Sequence, residues 1–551
     1  MIRFILTATL LLTAITIQSR AQSTMNIDSL RKEAESNNAE AQFNLGYLYY
    51  IGDGVPMSKT EAVKWYTKAA KQGNADAQTN LGYMYDIGEG VTMNKTEAIK
   101  WYTKAAEQGN ANAQYNLGTM YQKGESVLMN KTEAIKWYTK AAEQGYAQAQ
   151  FNLAVMYNNG DGLPRSMTEA VKWYSKAAEQ GFSQAQFNLA VMYENGTGVT
   201  KNSTEAVKWY IKAAEQGLVE AQYNLGTIYY KGEGILMSKV EALKWYTRAA
   251  EQGYASAQNN VGLMYANGEG VPMNKVEAVK WYTRAAEQGF AQAQFNLAFM
   301  YANGEGVPMN KSEAVNWYMK AAEQGFVQAQ FNLAVTYHMG EGVPMNTSEA
   351  LKWYTVAAKE GLAQAQFNLG LVYFKGEGVP VNKKEAAKWY TKAAEQGFAL
   401  AQNNLAVMYE RGEGVPMNKK VSLKWYAKSA VQGNVNSQYN VGLRYYVGEG
   451  VPRNMTEAVK WFTKAAEQGD FLSCNTLSGI HNNKSSGHYN PVKAYAYLLV
   501  VKELLISVSK KNSNREYTNL NQVRNKLSHK EIADGEALAQ QLLKNINKPE
   551  K

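Results

Sequence analysis

Cysteine, histidine and recognisable catalytic motifs are scarce in this chain of 551 residues. A single cysteine, Cys474, excludes an intramolecular disulfide, so the fold has to be stable without covalent cross-links. The four histidines are His338, His481, His488 and His529, and their spacing from Cys474 fits no zinc pattern. No nucleophile elbow, zinc-protease helix or phosphate loop occurs. The sequence therefore predicts no catalytic residue, no metal site and no cofactor.

Long apolar runs are also lacking, apart from one at the amino terminus. Residues 4–17 are apolar, follow Arg3 and precede Ser19-Arg20-Ala21. This run is shorter than the roughly 20 residues that a membrane-spanning helix needs. We expect residues 1–21 to be a secretory signal, with an uncleaved anchor as the alternative. The mature chain would then be exported, without a transmembrane span, to the periplasm or the medium (in a eukaryote, to the endoplasmic-reticulum lumen or the outside of the cell).

The positive charge is concentrated at the two ends of the chain. Of the net charge of +10, Arg3 and Arg20 supply two, and residues 470–551 carry 12 Lys and Arg against 7 Asp and Glu. About +3 remains for the long segment between them. Because a surface that follows phosphates needs a dense basic stripe, we expect no nucleic-acid partner.

Tryptophan gives the chain its period. All twelve tryptophans, from Trp65 to Trp461, are spaced 36 residues apart. A fixed period of this length is typical of a solenoid, in which each repeat buries its apolar face against its neighbours. Positions below are named by their number in the first repeat, and equivalents follow every 36 residues.

Each repeat predicts two helices. In the first helix, Gln42, Leu45, Gly46 and Tyr49 are spaced i, i+3, i+4 and i+7, which is the stripe of an amphipathic helix. The uniformly small residue at position 46 predicts a close approach by another helix. A loop, 52–56, contains two glycines and a proline. Thr60 is the predicted N-cap of the second helix, which ends near Gly73.

These residues carry a family resemblance. Leu-Gly-x-x-Tyr, then Gly-x-Gly-Val-Pro, then Glu-Ala-x-Lys-Trp-Tyr-x-Lys-Ala-Ala resembles the Sel1-like repeat, a relative of the tetratricopeptide repeat, over residues 38–469. The resemblance implies an all-α solenoid (superhelix) of twelve 36-residue helix-loop-helix repeats, with a capping helix at 22–37 and a helical cap and basic tail at 470–551. It also implies an adaptor function. One cysteine-rich branch is reported to have penicillin-binding or β-lactamase activity, but its disulfides are missing here, so this activity is not carried over.

Two polar positions are identical in all twelve repeats, Gln42 and Asn44. Amides in the middle of a helix need hydrogen-bond partners, and two explanations are open. They form a ladder that binds a peptide backbone, or they satisfy loop carbonyls between repeats.

Four positions of the first helix, 40, 43, 47 and 50, vary in chemistry and are here called the first-helix face. If this face lines a concave groove, its aromatic residues and changing polar neighbours suit an extended peptide or a partner helix. The alternative is that position 43 completes the core between repeats. The candidate partner-binding residues are Phe43, Tyr47, Tyr50, Tyr115, Phe151, Phe187, Tyr223, Tyr230, Phe295, Phe299, Phe331, His338, Phe367, Phe374, Tyr439 and Tyr446.

We therefore expect a non-catalytic scaffold that binds one or more proteins. The alternative is a cell-envelope glycan-binding protein, or a regulator of a polysaccharide or peptidoglycan enzyme. Aromatic rings also stack on sugars, and position 40 supplies carboxylates and carboxamides such as Asp76, Asn112 and Gln148.

Overall fold

A computed structural model describes residues 27–509 and 514–546, so the predicted signal segment at 1–21 lies outside the described residues. Within them the chain forms 29 α-helices and no strand. The predicted all-α solenoid of twelve helix-loop-helix repeats is confirmed. None of the described helices combines the length and the hydropathy that crossing a bilayer requires.

The described part of residues 1–273 forms one compact unit. It holds a lone helix, six helix pairs and the first helix of the seventh repeat. Their bounds are α1 Ile27–Glu35, α2 Ala39–Ile51, α3 Lys59–Lys71, α4 Ala75–Ile87, α5 Lys95–Glu107, α6 Ala111–Lys123, α7 Lys131–Glu143, α8 Ala147–Asn159, α9 Met167–Glu179, α10 Ser183–Asn195, α11 Ser203–Glu215, α12 Val219–Lys231, α13 Lys239–Glu251 and α14 Ala255–Asn267.

Residues 274–551 contain the second compact unit. It starts with the second helix of the seventh repeat and ends with four helices after the last repeat. The bounds are α15 Lys275–Glu287, α16 Ala291–Asn303, α17 Lys311–Glu323, α18 Val327–Met339, α19 Thr347–Lys359, α20 Ala363–Lys375, α21 Lys383–Glu395, α22 Ala399–Arg411, α23 Lys419–Val431, α24 Val435–Val447, α25 Met455–Ala466, α26 Phe471–Asn482, α27 Pro491–Ser509, α28 Asn514–Arg524 and α29 His529–Ile546.

The second helix of a repeat starts earlier than predicted. In α3 the N-cap is Ser58, whose hydroxyl accepts a hydrogen bond from the Glu61 N–H at 3.3 Å. Thr60 lies inside the helix, so the predicted cap was wrong. Position 58 is Ser or Asn in every repeat, and an oxygen three residues before the bonded N–H is the usual N-cap geometry.

The small residue at position 46 lies under an aromatic ring. A Cβ added to Gly46 would lie 2.9 Å from Cδ1 of Tyr66, which is 1% exposed. The close neighbour is therefore chiefly a side chain of the second helix. Burying such a ring contributes roughly 2–3 kcal/mol by area.

Helices also cover both ends of the repeats. Leu30 and Ala34 of α1 are buried in a cluster with Ala41 and Leu45 of the first repeat. At the other end, Cys474 of α26 packs in a cluster with residues of α25, α27 and α29. The last helix begins with a capping box, in which Ser528 and Glu531 bond each other's backbone N–H groups.

Candidate partner-binding surface

Most of the constant glutamines join the ends of successive second helices. Gln222 donates from Nε2 to the carbonyl of Ala214 at 3.1 Å, at the end of the preceding second helix. Its Oε1 accepts from Nε2 of Gln252, at the end of the following one, at 2.8 Å. Gln222 is 4% exposed. The glutamines thus have hydrogen-bond partners between repeats, but the predicted acceptors were wrong, because these carbonyls belong to the ends of helices and not to loops.

The constant asparagines reach the buried tyrosine of the preceding repeat. Nδ2 of Asn224 lies 3.3 Å from the hydroxyl of Tyr210, and Nδ2 of Asn368 lies 3.4 Å from that of Tyr354. Burial raises the pKa of Tyr354 to about 12, an effect larger than the opposing hydrogen bond from Asn368. These hydroxyls therefore stay protonated at neutral pH and act as neutral hydrogen-bonding groups within the frame of the repeats.

Position 43 lies in contact with neighbouring aromatic rings. The ring centroid of Phe295 is 5.7 Å from that of Tyr318 and 5.2 Å from that of Phe326. Phe43 is buried, whereas the other aromatic residues at this position are half-buried. A tyrosine or phenylalanine of the second helix contacts each of the predicted residues, which are Phe43, Tyr115, Phe151, Phe187, Tyr223, Phe295, Phe331, Phe367 and Tyr439.

Five of these residues make a second ring contact, to a residue that was not predicted from the sequence. It precedes the next first helix and is Tyr146, Phe182, Tyr254, Phe326 or Phe398. Other repeats hold a leucine at this position, as at Leu218, or an asparagine such as Asn74, whose side chain caps that helix. The variation among Asn, Leu and aromatic residues was the available signal. The structure thus places position 43 in ring clusters, and its contact with a partner remains a prediction.

Position 47 ranges from buried to exposed. Tyr47 is 7% exposed, while Phe299 is 45% exposed. Among the predicted site residues, Phe299 is the one whose side chain is exposed to solvent.

Position 50 lies beside the loop of the next repeat. The hydroxyl of Tyr50 donates to Glu89 at 2.8 Å, and the ammonium of Lys59 lies 3.1 Å from the centre of its ring. Tyr230 similarly lies under Lys239, and Phe374 lies near Lys383. His338 is 3.5 Å from Glu377, and Tyr446 contacts Phe462.

A set of ion pairs between repeats was also not predicted from the sequence. The lysine at position 59 pairs with the acid in the glycine loop of the next repeat, as Lys131 does with Asp161 at 2.8 Å. The further pairs in the described residues are Lys59–Glu89, Lys95–Glu125, Lys239–Glu269, Lys275–Glu305, Lys311–Glu341, Lys383–Glu413 and Lys419–Glu449. The 30-residue spacing of opposite charges was the signal.

Exposed methionines recur just before the second helix, at position 57. They are between 60% and 69% exposed and comprise Met57, Met93, Met129, Met237, Met273, Met309, Met345 and Met417. Such flexible, polarisable side chains suit adaptable contacts with other proteins. Among the residues that the structure describes, no group of three or more potential metal ligands lies together.

Comparisons with known proteins agree with this anatomy. A family model described as the Sel1 repeat matches twelve consecutive segments, from 39–74 to 435–470. A crystal structure of a protective antigen present in uropathogenic Escherichia coli strains, displaying an SLR fold, is 34% identical with a TM-score of 0.69; the match covers 88% of this chain and 95% of that one.

A Sel1 repeat protein from Oxalobacter formigenes is also 34% identical, with a TM-score of 0.48 and coverage of 58% of this chain and 91% of that one. The comparison with curated proteins gave no match. Since the family model accounts for residues 39–470 without interruption, the chain belongs to the Sel1 repeat family.

Proposed function

We propose that the chain is an exported, non-catalytic scaffold that binds protein partners along the first-helix face. The observation that carries the proposal is the division within each repeat. The amides at positions 42 and 44 bond the repeats to one another, while positions 40, 47 and 50 change in chemistry on that constant frame. A constant frame with a varied surface suits recognition better than catalysis, which needs unlike groups to converge at one place.

Two further observations support the proposal. The apolar segment at 4–17 follows a basic residue and precedes small residues, which supports export. The similar structure from uropathogenic Escherichia coli is described as a protective antigen, which also fits a location outside the cytoplasm. The rings at position 43 contact other rings of the chain.

The test uses cross-linking in native envelope and culture medium with the mature chain, followed by identification and purification of the captured protein. Binding is then titrated against a triple variant of exposed residues on the first-helix face: Phe299→Glu, Gln328→Arg and Gln364→Arg. Because these side chains are exposed, the variant should stay folded, which circular dichroism checks. We expect its affinity for the partner to fall at least tenfold.

The matched control replaces exposed methionines of the same unit by Gln, at Met309 and Met345. If this control loses the partner and the triple variant keeps it, the contact surface lies at the loops before the second helices, and the assignment to the first-helix face is wrong. If the unaltered chain captures no protein from either the envelope or the culture medium, the scaffold proposal itself fails.

A further inference from the structure

Three repeats carry an acidic residue at position 50, and each has a second acid in the glycine loop of the next repeat. These acidic pairs are Asp86 with Glu125, Glu194 with Glu233, and Glu410 with Glu449. The members of each pair are 39 residues apart, so the repeats allow a direct comparison of equivalent sites within one molecule. Two carboxylates brought together repel each other unless a cation lies between them.

The chain supplies its own cation to the first pair. Nζ of Lys95 lies 2.7 Å from Oδ1 of Asp86 and 2.6 Å from Oε2 of Glu125. Burial lowers the pKa of Lys95, but the hydrogen bonds to the two carboxylates outweigh this and raise it. An ammonium group is thus well held between the two acids.

The third pair receives two cations. Arg444, whose side chain is 4% exposed, contacts both Glu410 and Glu449. Lys419, at the position equivalent to Lys95, also pairs with Glu449. Removing such a buried charge from water is tolerated because both acids face it.

The middle pair receives neither of these cations. Ser203 stands at the position of Lys95, and Ile228 stands at the position of Arg444. A cavity of about 270 Å³ occupies this place, lined by Glu194, Ser203, Val207, Ile228 and Glu233 among others. The side chain of Glu233 is 54% exposed, against 34% for Glu125.

The remaining basic residues nearby do not replace the missing one. Lys231 lies 3.5 Å from Oε1 of Glu233, but Lys123 makes the same contact to Glu125 in the site that also holds Lys95. Lys201 lines the cavity, and no ion pair joins it to either acid within the described residues. Glu194 is positioned by the hydroxyl of Tyr210, which donates to its Oε2 at 2.6 Å.

We propose that this cavity, the repeat-five cavity, binds a primary ammonium group, supplied by a lysine side chain of the protein partner. The acids Glu194 and Glu233 would receive the ammonium as Asp86 and Glu125 receive Lys95. Val207 and Ile228 give the methylene stem an apolar wall. The inference rests on the proposed function and assigns it one specific contact.

The first arm of the test measures binding of Nα-acetyl-lysine methylamide to the mature chain at low salt, by ligand-observed NMR. We expect Ser203→Lys, which supplies the missing ammonium, to weaken binding at least tenfold, and Lys201→Met, which removes a like charge from the rim, to strengthen it. Equal binding of the Nε-acetylated compound, or no effect of Ser203→Lys, would overturn the proposal. So would an undetectable probe, since the site would then be closed by the chain itself.

The second arm recreates the cavity in another repeat. Lys95→Ser removes the ammonium from the pair of Asp86 and Glu125 and places there the serine that stands beside Glu194 and Glu233. We expect this variant to have a lower melting temperature than the unaltered chain. We expect n-butylammonium to restore part of that difference, but not tetramethylammonium, which has no N–H to donate. Equal rescue by both ions would reduce the effect to general ionic screening and count against the proposal.

The third arm separates this inference from the scaffold proposal and identifies the source of the ammonium. The captured partner is titrated against Ser203→Lys and, after acetylation of its lysines, against the unaltered chain. Loss of affinity in both cases supports a partner lysine. If the partner binds Ser203→Lys unchanged while the triple variant Phe299→Glu, Gln328→Arg and Gln364→Arg still loses it, the scaffold proposal stands. The assignment of a partner lysine is then wrong, and free amines become the source to test.

Discussion

The interface between two repeats differs in chemistry from the interface between the last repeat and its cap. Between repeats, a buried tyrosine meets an asparagine, and a glutamine bridges two helix ends, as Tyr210, Asn224 and Gln222 show. At the cap interface, formed by α25 and α26, the equivalent residues are Phe462, Thr476 and Cys474. Phe462 and Cys474 are both fully buried.

The tyrosine hydroxyl, the asparagine amide and the glutamine amide are therefore all absent from the interface between the last repeat and its cap. Tyrosine loses its hydroxyl at the same interface at which asparagine loses its amide. Replacing both partners of a buried hydrogen bond costs little, whereas removing one leaves the other unsatisfied. Hence the constant amides stabilise the contact between repeats, and the interface with the cap is formed without them.

The largest effect is expected from breaking the glutamine bridge within the repeats. Gln222→Leu removes two buried hydrogen bonds, one to the carbonyl of Ala214 and one from the amide of Gln252. The carbonyl keeps its bond from the Gly217 N–H and the amide keeps its bond to the Gly217 carbonyl. Losing the two bonds across repeats should lower the free energy of unfolding by about 2–3 kcal/mol. Urea unfolding followed by circular dichroism measures this change. The matched control at the cap, Cys474→Val, should cost less than about 1.5 kcal/mol because it exchanges apolar groups of similar volume. Equal losses would show that the bridge is not specific to contacts between repeats.

A smaller effect should follow from adding the missing hydroxyl at the cap. Phe462→Tyr buries a hydroxyl opposite Thr476 and should destabilise the protein by about 1–3 kcal/mol. The double variant Phe462→Tyr with Thr476→Asn supplies the partner and should recover part of the loss. A double-mutant cycle on urea midpoints measures this coupling. Strictly additive effects would contradict the pairing of Tyr and Asn across repeats.

The sequence predicted the repeats well because their signals are periodic. Tryptophan spacing, paired glycines and the apolar stripes were enough for helix pairs and loops. The N-cap was misassigned at Thr60 because Ser58 and Thr60 both carry a hydroxyl near the helix start. The surroundings of Phe295 were less predictable, since one of its ring contacts comes from another helix and the other from the residue that precedes the next first helix. The role of Ser203 could not be predicted from the sequence, because it depends on the cavity that this residue lines together with Glu194 and Glu233.

We expect a pH effect in the cap. His481 stands where every repeat has tyrosine at position 49, stacks on Tyr497 with ring planes 3° apart, and bonds the carbonyl of His488 through Nδ1 at 2.7 Å. Burial lowers its pKa, and the positive charge of Lys493 acts in the same direction, while the bond to His488 opposes them. Since the folded pKa lies below the unfolded one, stability is present above the unfolded value of about 6.5 and is lost as the pH falls below it.

The thiol of Cys474 provides a way to measure this loss of stability in the cap. Cys474 is fully buried in the cap, and burial raises its pKa to about 12, so labelling by a thiol reagent requires the cap to open. We compare the labelling rate of the unaltered chain with that of His481→Tyr, which has the tyrosine of the repeats at this position. We expect the ratio of the first rate to the second to rise as the pH falls from 7.5 to 5.5, because this tyrosine does not titrate in that range. The ratio cancels the intrinsic pH dependence of the thiol. A ratio that stays constant would mean that His481 is not protonated on opening, and that the cap and the repeats respond to acid alike.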